Sequence, residues 1–249
     1  MSLFTPPAMV LVPSSGLPLL ADPDLVLWID VSNSGCWPGS GTTLTDLSGN
    51  GNDFTLTNVT VSTTNAGGSF YLDGVAANST LAVMSTWDTY TVHQDYTIIG
   101  AYSLVDEGGS HLVGRAFSNN GATSNWLMGS YNWLGIGTPY QEHFYANGWI
   151  SNPATAVDEN WHIVGASYDD TAETMDFVDN NTVISDAVSA TGNRGTEGLS
   201  LGQWVGPDFE GGGSEYSEIR FGFILGFDRV LSRAELTSIF NFYSGRYGL

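Results

Sequence analysis

Apolar residues alternate with other residues near the end of the chain, and the pattern then becomes helical. Every second position from Ile219 to Leu225 is apolar, the period of a strand with one buried face. Ser232 and Glu235 have the spacing of a capping box, which starts a helix. An apolar stripe runs from Leu236 to Tyr243, and Gly245 is suited to end the helix. The pattern predicts a strand followed directly by a short C-terminal helix.

The rest of the chain has the pattern of strands separated by turns. Clusters of Gly, Asn and Asp interrupt the apolar runs, as is typical of turns between strands. The clearest predicted strands are 25–30, 96–104, 161–168 and 174–178. With 31 Gly and only 13% charged residues, the composition favours an all-β protein. No linker interrupts the pattern, so we predict one domain over residues 23–249.

Residues 1–22 form a separate, proline-rich segment. Pro6, Pro7, Pro13 and Pro18 lie within it, and proline at this density disfavours a helix or a central strand. We therefore predict an extended arm. Its many Leu and Val residues indicate that it is not a solvated linker. The arm either packs along its own domain or docks on another protein, including a second copy of the chain.

The charge of the chain is strongly negative. Six Arg and no Lys stand against 26 Asp and Glu residues, giving a net charge of −20. This charge argues against binding to nucleic acid or to an anionic membrane. It is compatible with cation binding or a basic partner. Residues 1–22 lack the basic start of a secretory signal, and no stretch is apolar enough to predict a membrane span.

Four segments of the chain form a recognisable series. They are Leu27-Trp-Ile-Asp30 with Thr45-Asp-Leu-Ser-Gly-Asn-Gly-Asn-Asp53, Gly68-Ser-Phe-Tyr-Leu-Asp-Gly74, Trp161-His-Ile-Val-Gly-Ala-Ser-Tyr-Asp169, and the closing strand and helix. In this order they resemble the laminin-G-like group of concanavalin A-like domains. The resemblance covers residues 24–245 and implies a jelly-roll sandwich of two antiparallel sheets with a short C-terminal helix. The fold itself implies little about function, because it hosts lectins, glycosidases, adhesion domains and virion proteins.

Catalysis is not expected from this sequence. Glycosidases of this fold need carboxylates at alternate positions of one strand, so that the acid and the nucleophile face the substrate together. Glu215 with Glu218, and Asp176 with Asp179, are three residues apart; we interpret them as solvated carboxylates. The four His residues are scattered, with His162 interpreted as a packed structural residue. Cys36 has no second cysteine with which to form a disulfide or a metal site.

A calcium site is predicted in the turn after residue 45. Asp46, Ser48 and Asn50 place oxygen-bearing side chains at alternate positions, with Asp53 nearby, and such hard oxygen ligands suit Ca²⁺. Calcium is thus the one cofactor that the sequence indicates. The alternative is an Asx turn, in which the same side chains satisfy backbone amides. Asp73, Asp169 and Asp170 are secondary candidates.

Aromatic residues interleaved with Asn and Gly predict a glycan-binding surface within residues 124–152. Aromatic rings stack on the C–H faces of sugars, while amides accept and donate the hydrogen bonds that orient them. The alternative is that these rings belong to the core of the sandwich. The candidate ligand-binding residues are Trp126, Tyr131, Trp133, Tyr140 and Trp149.

The resemblance extends to stand-alone domains of this group in virion accessory proteins of tailed phages. It implies a non-enzymatic capsid decoration or tail-fibre component located in the virion. The arm would dock on a capsid or tail protein, and the acidic sandwich would face outward toward host glycans. The alternative is a secreted or cell-surface carbohydrate-binding or adhesion module, with calcium in the Asp46 turn.

Overall fold

The computed structural model describes most of the sandwich. The described residues are 16–56, 59–62, 71–74, 82–84, 95–104, 114–119, 127–131, 141–145, 149–156, 160–172, 174–186, 199–201, 203–205, 214–216 and 219–249. Within them the chain forms strands β1 to β18 and one helix, α1 (Arg233–Tyr247). The strand pairs are antiparallel. The predicted all-β sandwich with a C-terminal helix is confirmed.

Sheet A carries the longest strands of the fold. Its order is β14-β13-β12-β7-β18-β5-β4, and β1 also pairs with β18. Its strands are β1 (Leu25–Asp30), β4 (Val59–Ser62), β5 (Tyr71–Gly74), β7 (Tyr96–Leu104), β12 (Trp161–Asp169), β13 (Thr174–Asp179), β14 (Thr182–Asp186) and β18 (Ile219–Phe227).

Sheet B lies opposite sheet A and has the order β11-β10-β9-β8-β15-β6-β3-β2. Two further strands, β16 (Gln203–Val205) and β17 (Ser214–Tyr216), form a small hairpin. The strands of sheet B are β2 (Thr43–Leu44), β3 (Phe54–Leu56), β6 (Ala82–Met84), β8 (Gly114–Asn119), β9 (Leu127–Tyr131), β10 (Gln141–Tyr145), β11 (Trp149–Ala156) and β15 (Leu199–Leu201).

The two sheets enclose an apolar core. Phe117 of sheet B lies edge-on to Tyr102 and Phe221 of sheet A, with ring centroids 6.1 and 6.3 Å apart. Phe54 and Met128 of sheet B also belong to this core and are fully buried. Such edge-to-face aromatic contacts add to the burial of apolar area that stabilises the sandwich.

A second apolar layer covers the outer face of sheet A. The ring of Tyr243 on α1 stacks on Phe223 of β18 with centroids 3.7 Å apart. Tyr247 lies against Trp161 of β12, with centroids 4.5 Å apart. Because both faces of sheet A are covered, its central strands β7, β12 and β18 are buried along nearly their whole length.

The prediction of a single buried face for residues 219–225 is wrong. Ile219 and Phe221 belong to the core between the sheets, whereas Phe223 and Leu225 pack under α1 on the outer face. The pairing of β18 with β7 shifts between Phe221 and Phe223, so an extra residue at Gly222 reverses the alternation. A β-bulge therefore lets one strand serve both apolar layers.

Helix α1 begins as predicted and ends later. The Ser232 hydroxyl accepts a hydrogen bond from the Glu235 amide, and the Glu235 carboxylate accepts one from the Ser232 amide. The capping box is confirmed. The predicted end at Gly245 is wrong, because the left-handed cap is Gly248, with φ of 76°. The longer helix brings Tyr247 onto sheet A.

The described part of the N-terminal arm packs on its own domain. Pro18–Ala21 forms a 3-10 turn rather than the predicted extended chain, since proline fits the first position of such a turn. Leu17 and Leu19 are buried in the layer beneath α1. Residues 1–15 lie outside the described residues.

No helix in the described part of the chain is both long and apolar enough to cross a bilayer.

Candidate functional site

The turn after β2 is built around the carboxylate of Asp46. One carboxylate oxygen accepts hydrogen bonds from the amides of Trp28 and Ser48, at 2.9 and 3.0 Å. The other accepts from the Ser48 hydroxyl at 2.7 Å and the Asn52 amide at 3.1 Å. Asp46 is only 5% exposed. Its carboxylate therefore joins this turn to strand β1.

The other candidate calcium ligands take part in the same network. Asp53 accepts a hydrogen bond from the Asp46 amide at 2.8 Å. The Ser48 hydroxyl donates to the Val26 carbonyl at 3.1 Å, and the Asn50 side-chain amide donates to the Leu25 carbonyl at 3.2 Å. These contacts have the form of the Asx turn named as the alternative. Calcium binding by Asp46, Ser48, Asn50 and Asp53 stays a prediction.

Among the described residues, no group of three or more His, Cys, Asp or Glu side chains could hold a metal ion. Of the secondary candidates, Asp169 accepts a hydrogen bond from the Ala172 amide, and Asp170 accepts one from the Tyr168 hydroxyl. Asp73 is in register with Arg220 on the neighbouring strand. Asp169 ends β12 and Asp170 follows it directly, whereas Asp73 lies in β5.

The predicted aromatic surface falls on the end of sheet B formed by β8 to β11. Tyr131 lies in β9 and Trp149 lies in β11. Trp149 is in register with Tyr145 of β10, and Tyr145 with Leu127 of β9. Tyr131 is in register with Gln141. Residues that are in register on neighbouring strands form rows across the sheet. The row of Tyr131 and the row of Trp149 lie about 13 Å apart along the strands.

A middle row separates these two aromatic rows. It runs from Arg115 through Gly129 and His143 to Ser151. Met128, the neighbour of Gly129 in β9, is fully buried in the core between the sheets. Since successive strand positions alternate between the faces of a sheet, the three rows occupy outward positions. We call them the outward rows of sheet B.

Gly129 is the residue of the outward rows that sequence reasoning missed. It is buried and has φ of 148°, a backbone conformation that favours glycine. A side chain at this position would strain the strand. Gly129 is in register with Arg115, beside the irregularity in the pairing of β8 with β9 between Arg115 and Phe117, and a glycine inside a strand often marks a bulge or the close approach of a ligand or another backbone. Trp126, Trp133 and Tyr140 lie outside the described residues.

The carboxylates considered for catalysis lie in dissimilar places. Asp179 is buried and contacts His162, with Nδ1 and Oδ1 3.3 Å apart. Its interpretation as a solvated carboxylate is wrong, whereas the packed position of His162 is confirmed. Asp176 is half-buried in β13, Glu215 pairs with Trp204 in the small hairpin, and Glu218 is outside the described residues.

Cys36 is a buried thiol. It is 1% exposed, and burial raises its pKa to about 12. A thiol must ionise to act as a nucleophile or metal ligand. Cys36 is therefore unreactive in the folded protein at neutral pH.

Comparisons with known proteins give matches among solved structures alone. No protein family and no curated protein sequence matches the chain. The binding domain of Paraclostridial Mosquitocidal Protein 1 matches with a TM-score of 0.61 at 15% identity, over 90% of this chain and 53% of that one. The binding domain of Botulinum Neurotoxin DC in complex with SialylT matches with a TM-score of 0.59 at 14% identity, over 92% and 53%.

A sialidase is also similar. Trypanosoma rangeli sialidase in complex with 2,3-difluorosialic acid matches with a TM-score of 0.56 at 13% identity, over 92% of this chain and 33% of that one. The chain thus spans about half the length of the toxin binding domains and a third of the sialidase. At such low identities the likeness shows a shared fold. That fold is a β-sandwich.

Proposed function

We propose that this protein is a non-enzymatic glycan-binding module whose binding surface is formed by the outward rows of sheet B. The observation that carries the proposal is the placement of these rows. They bring Tyr145 and Trp149 to one end and Tyr131 and Gln141 to the other, with Gly129 between them. Aromatic and amide side chains are the groups that stack on sugars and form hydrogen bonds with them.

The layering of the sandwich supports this choice of face. Helix α1 and the Pro18–Ala21 turn pack on the outer side of sheet A, so that face of the sandwich is closed. The extent of the three rows, about 13 Å along the strands, is long enough for more than one sugar ring. Two of the similar structures are described as complexes with SialylT and with 2,3-difluorosialic acid, which gives the proposal support by analogy.

A glycan array with matched variants tests the binding face. We expect the wild-type protein to bind at least one glycan class, and Trp149→Ala to lose about tenfold in affinity, because truncation of an aromatic anchor of a binding surface often costs more than about 1 kcal/mol and about 1.4 kcal/mol is tenfold. Phe242→Ala is the control, since Phe242 is a half-buried aromatic residue of the layer over sheet A. Equal loss in both variants, or no binding by the wild type, would contradict the proposal.

Calcium in the Asp46 turn is a separate proposal. A bound ion would have to draw on carboxylate oxygens that already accept amide hydrogen bonds. If calcium binds, the melting temperature rises with calcium and falls with a chelator, and Asp46→Asn removes the difference. An unchanged melting temperature in the wild type would reject the site.

A role in a phage particle is the second candidate function. It rests on the resemblance described above and on the apolar residues 1–15, which precede the packed segment. The test is a truncated protein that lacks residues 1–15. The deletion should not extend further, because Leu17 and Leu19 are part of the domain's own apolar layer. Particles assembled with the truncated protein should lack it, whereas Leu17→Ala should reduce stability without abolishing incorporation. Normal incorporation of the truncated protein would rule out docking through the arm.

A further inference from the structure

Strand β1 has one edge paired with β18 and the other edge covered by the Asp46 turn, residues 46–53. Among the described strands, β18 is the partner of β1. The edge that faces the turn presents the Val26 carbonyl and both backbone groups of Trp28. Backbone groups along the edge of a sheet are a template for pairing with another chain. The contacts of the Asp46 turn therefore decide whether β1 can pair again.

The Asp46 turn satisfies this edge without adding a strand to the sheet. The Asp46 carboxylate accepts a hydrogen bond from the Trp28 amide at 2.9 Å. The Leu47 amide donates to the Trp28 carbonyl at 2.8 Å. The Val26 carbonyl accepts two side-chain hydrogen bonds, and the shorter, at 2.7 Å, comes from the Asn52 amide group. Residues 46–53 are not in a strand, so the edge is covered mostly by side chains.

Two left-handed glycines shape the Asp46 turn. Gly49 and Gly51 have φ of 85° and 79°, a region of backbone conformation that favours glycine. They alternate with the three residues whose side chains donate to carbonyls of β1, namely Ser48, Asn50 and Asn52. The Asp46 carboxylate also accepts hydrogen bonds from two amides within the turn. The residues that form the turn are thus the same residues that hold it on the strand edge.

We propose that the Asp46 turn is an edge cap, which keeps β1 from pairing with β1 of a second copy of this chain. The strand reads Leu25-Val-Leu-Trp-Ile-Asp30, and short segments that are apolar, rich in strand-forming residues and low in charge pair readily with one another. Without the cap, two β1 edges can pair antiparallel about a two-fold axis and join two copies of sheet A. The proposal does not depend on the glycan-binding face, which lies on sheet B.

The test compares the mass and the amide hydrogen exchange of matched variants, in a chelator so that calcium has no part in the result. Asp46→Ala combined with Asn52→Ala removes the acceptor of the Trp28 amide and the closer donor to the Val26 carbonyl. In dilute solution the Trp28 amide should exchange at least about tenfold faster than in the wild type, because it has lost a hydrogen bond to a charged group. In concentrated solution light scattering should show a dimer, and exchange at Trp28 should slow again.

Asn33→Ala is the matched control. The Asn33 side chain closes a different turn, where it accepts a hydrogen bond from the Gly35 amide at 2.9 Å. The control should keep the wild-type mass at every concentration and the wild-type exchange rate at Trp28. A folded double variant with the wild-type mass in concentrated solution, or with unchanged exchange at Trp28, would overturn the proposal.

A milder variant keeps the proposal testable if the loss of Asp46 prevents folding. Asn50→Ala combined with Asn52→Ala removes two donors to carbonyls of β1 and leaves the Asp46 carboxylate in place. Its mass should still rise with concentration, though less than that of the first variant. A folded protein whose mass does not change with concentration would contradict the edge cap.

Salt identifies the kind of contact that joins the copies. Each copy has a net charge of −20, which opposes association of two copies. The screening length falls from about 8 Å at about 0.15 M salt to about 3 Å at about 1 M, so the dimer fraction of the variant should increase with salt. A dimer that dissociates in high salt would be held by ion pairs instead of paired β1 strands, and would overturn the proposal.

Discussion

At the scale of single residues, Arg229 joins the beginning of α1 to the N-terminal segment. Its guanidinium donates to the carboxylates of Asp22 and Glu235. The hydrogen bond from Arg229 lowers the pKa of the Glu235 carboxyl to about 2, and also lowers the pKa of Asp22. Because these pKa values are lowered in the folded state, the carboxylates stabilise the fold above their ordinary pKa values. That stabilisation is lost as the pH falls.

The first prediction concerns how acid changes the stability that the ion-pair cluster of Arg229, Asp22 and Glu235 provides. Glu235→Gln should lower the free energy of unfolding by about 1–2 kcal/mol at pH 7, after allowance for solvent screening. The wild type should lose this contribution between pH 4.5, the ordinary pKa of a Glu, and about 2. The variant should show a weaker dependence on pH in that window. Urea unfolding at a series of pH values measures both effects.

Asp24→Asn is the matched control for that experiment. Asp24 is about half exposed, and its carboxylate is 3.7 Å from the Arg229 Nε. An exposed ion pair contributes little to stability, so the control should change the unfolding free energy by less than about 0.5 kcal/mol. If Asp24→Asn lowered the free energy of unfolding as much as Glu235→Gln, the contact between Arg229 and Glu235 would not be the source of the stabilisation.

The second prediction concerns the buried ion pair of Asp30 and Arg246. The Arg246 guanidinium donates to both Asp30 oxygens, at 2.8 and 3.0 Å, and lies over the ring of Tyr243. Removing one partner leaves a buried charge, so Arg246→Ala should cost about 3–5 kcal/mol. Arg233→Ala, at an exposed position, should cost less than about 0.5 kcal/mol. Similar costs for the two variants in urea unfolding would contradict the assignment.

At the scale of elements, the bulge in β18 and the end of α1 depend on one another. Gly222 lies at the bulge, and a Cβ atom there would overlap the hydroxyl and ring of Tyr247. Tyr247 belongs to the part of α1 that extends beyond Gly245. The bulge thus provides the space in which the last turn of the helix packs.

The third prediction compares two glycines of this region. Gly222→Ala should destabilise the protein by about 1–3 kcal/mol, because the added methyl group overpacks a filled site. Gly245→Ala should stabilise it by about 0.5 kcal/mol, because this helical position has open space around it. Thermal unfolding should therefore move in opposite directions. Destabilisation by both substitutions would show that the packing account is incomplete.

Local sequence patterns predicted the elements of sheet A well. Strands β1, β7, β12 and β13 have long apolar runs bounded by turn residues, and the Ser232 capping box fixes the start of α1. Their burial on both faces was not predicted, because it depends on a helix and a bulge that come from elsewhere in the chain. Gly222 was the available signal, as glycine inside a strand often marks a bulge.

The candidate site was harder to predict than the fold. Tyr131 and Trp149 are 18 residues apart in sequence, and their rows are set by the register of three paired strands. Register is the set of residue pairs across neighbouring strands, such as His143 with Gly129. A local sequence pattern does not specify these pairs. The composition of residues 124–152 predicts a glycan-binding surface, which stays a prediction, and the strand pairing gives the positions of Tyr131 and Trp149 in it.

At the scale of the whole molecule, the two sheets differ in what covers them. Sheet A lies between the inner core and the layer formed by α1 with Leu17 and Leu19. Sheet B supplies the other wall of the inner core through Phe54, Phe117 and Met128. Stability therefore comes mainly from the layers around sheet A, and the outward rows of sheet B are the face proposed for recognition.

The fourth prediction tests this division most directly. Amide hydrogen exchange is measured with and without a glycan found to bind on the array. We expect slower exchange in β9, β10 and β11 when the glycan is bound, because a ligand protects the backbone that it covers. The amides of α1 should be unchanged. Protection confined to α1 or to the Asp46 turn, with none in β9 to β11, would contradict the proposed binding face.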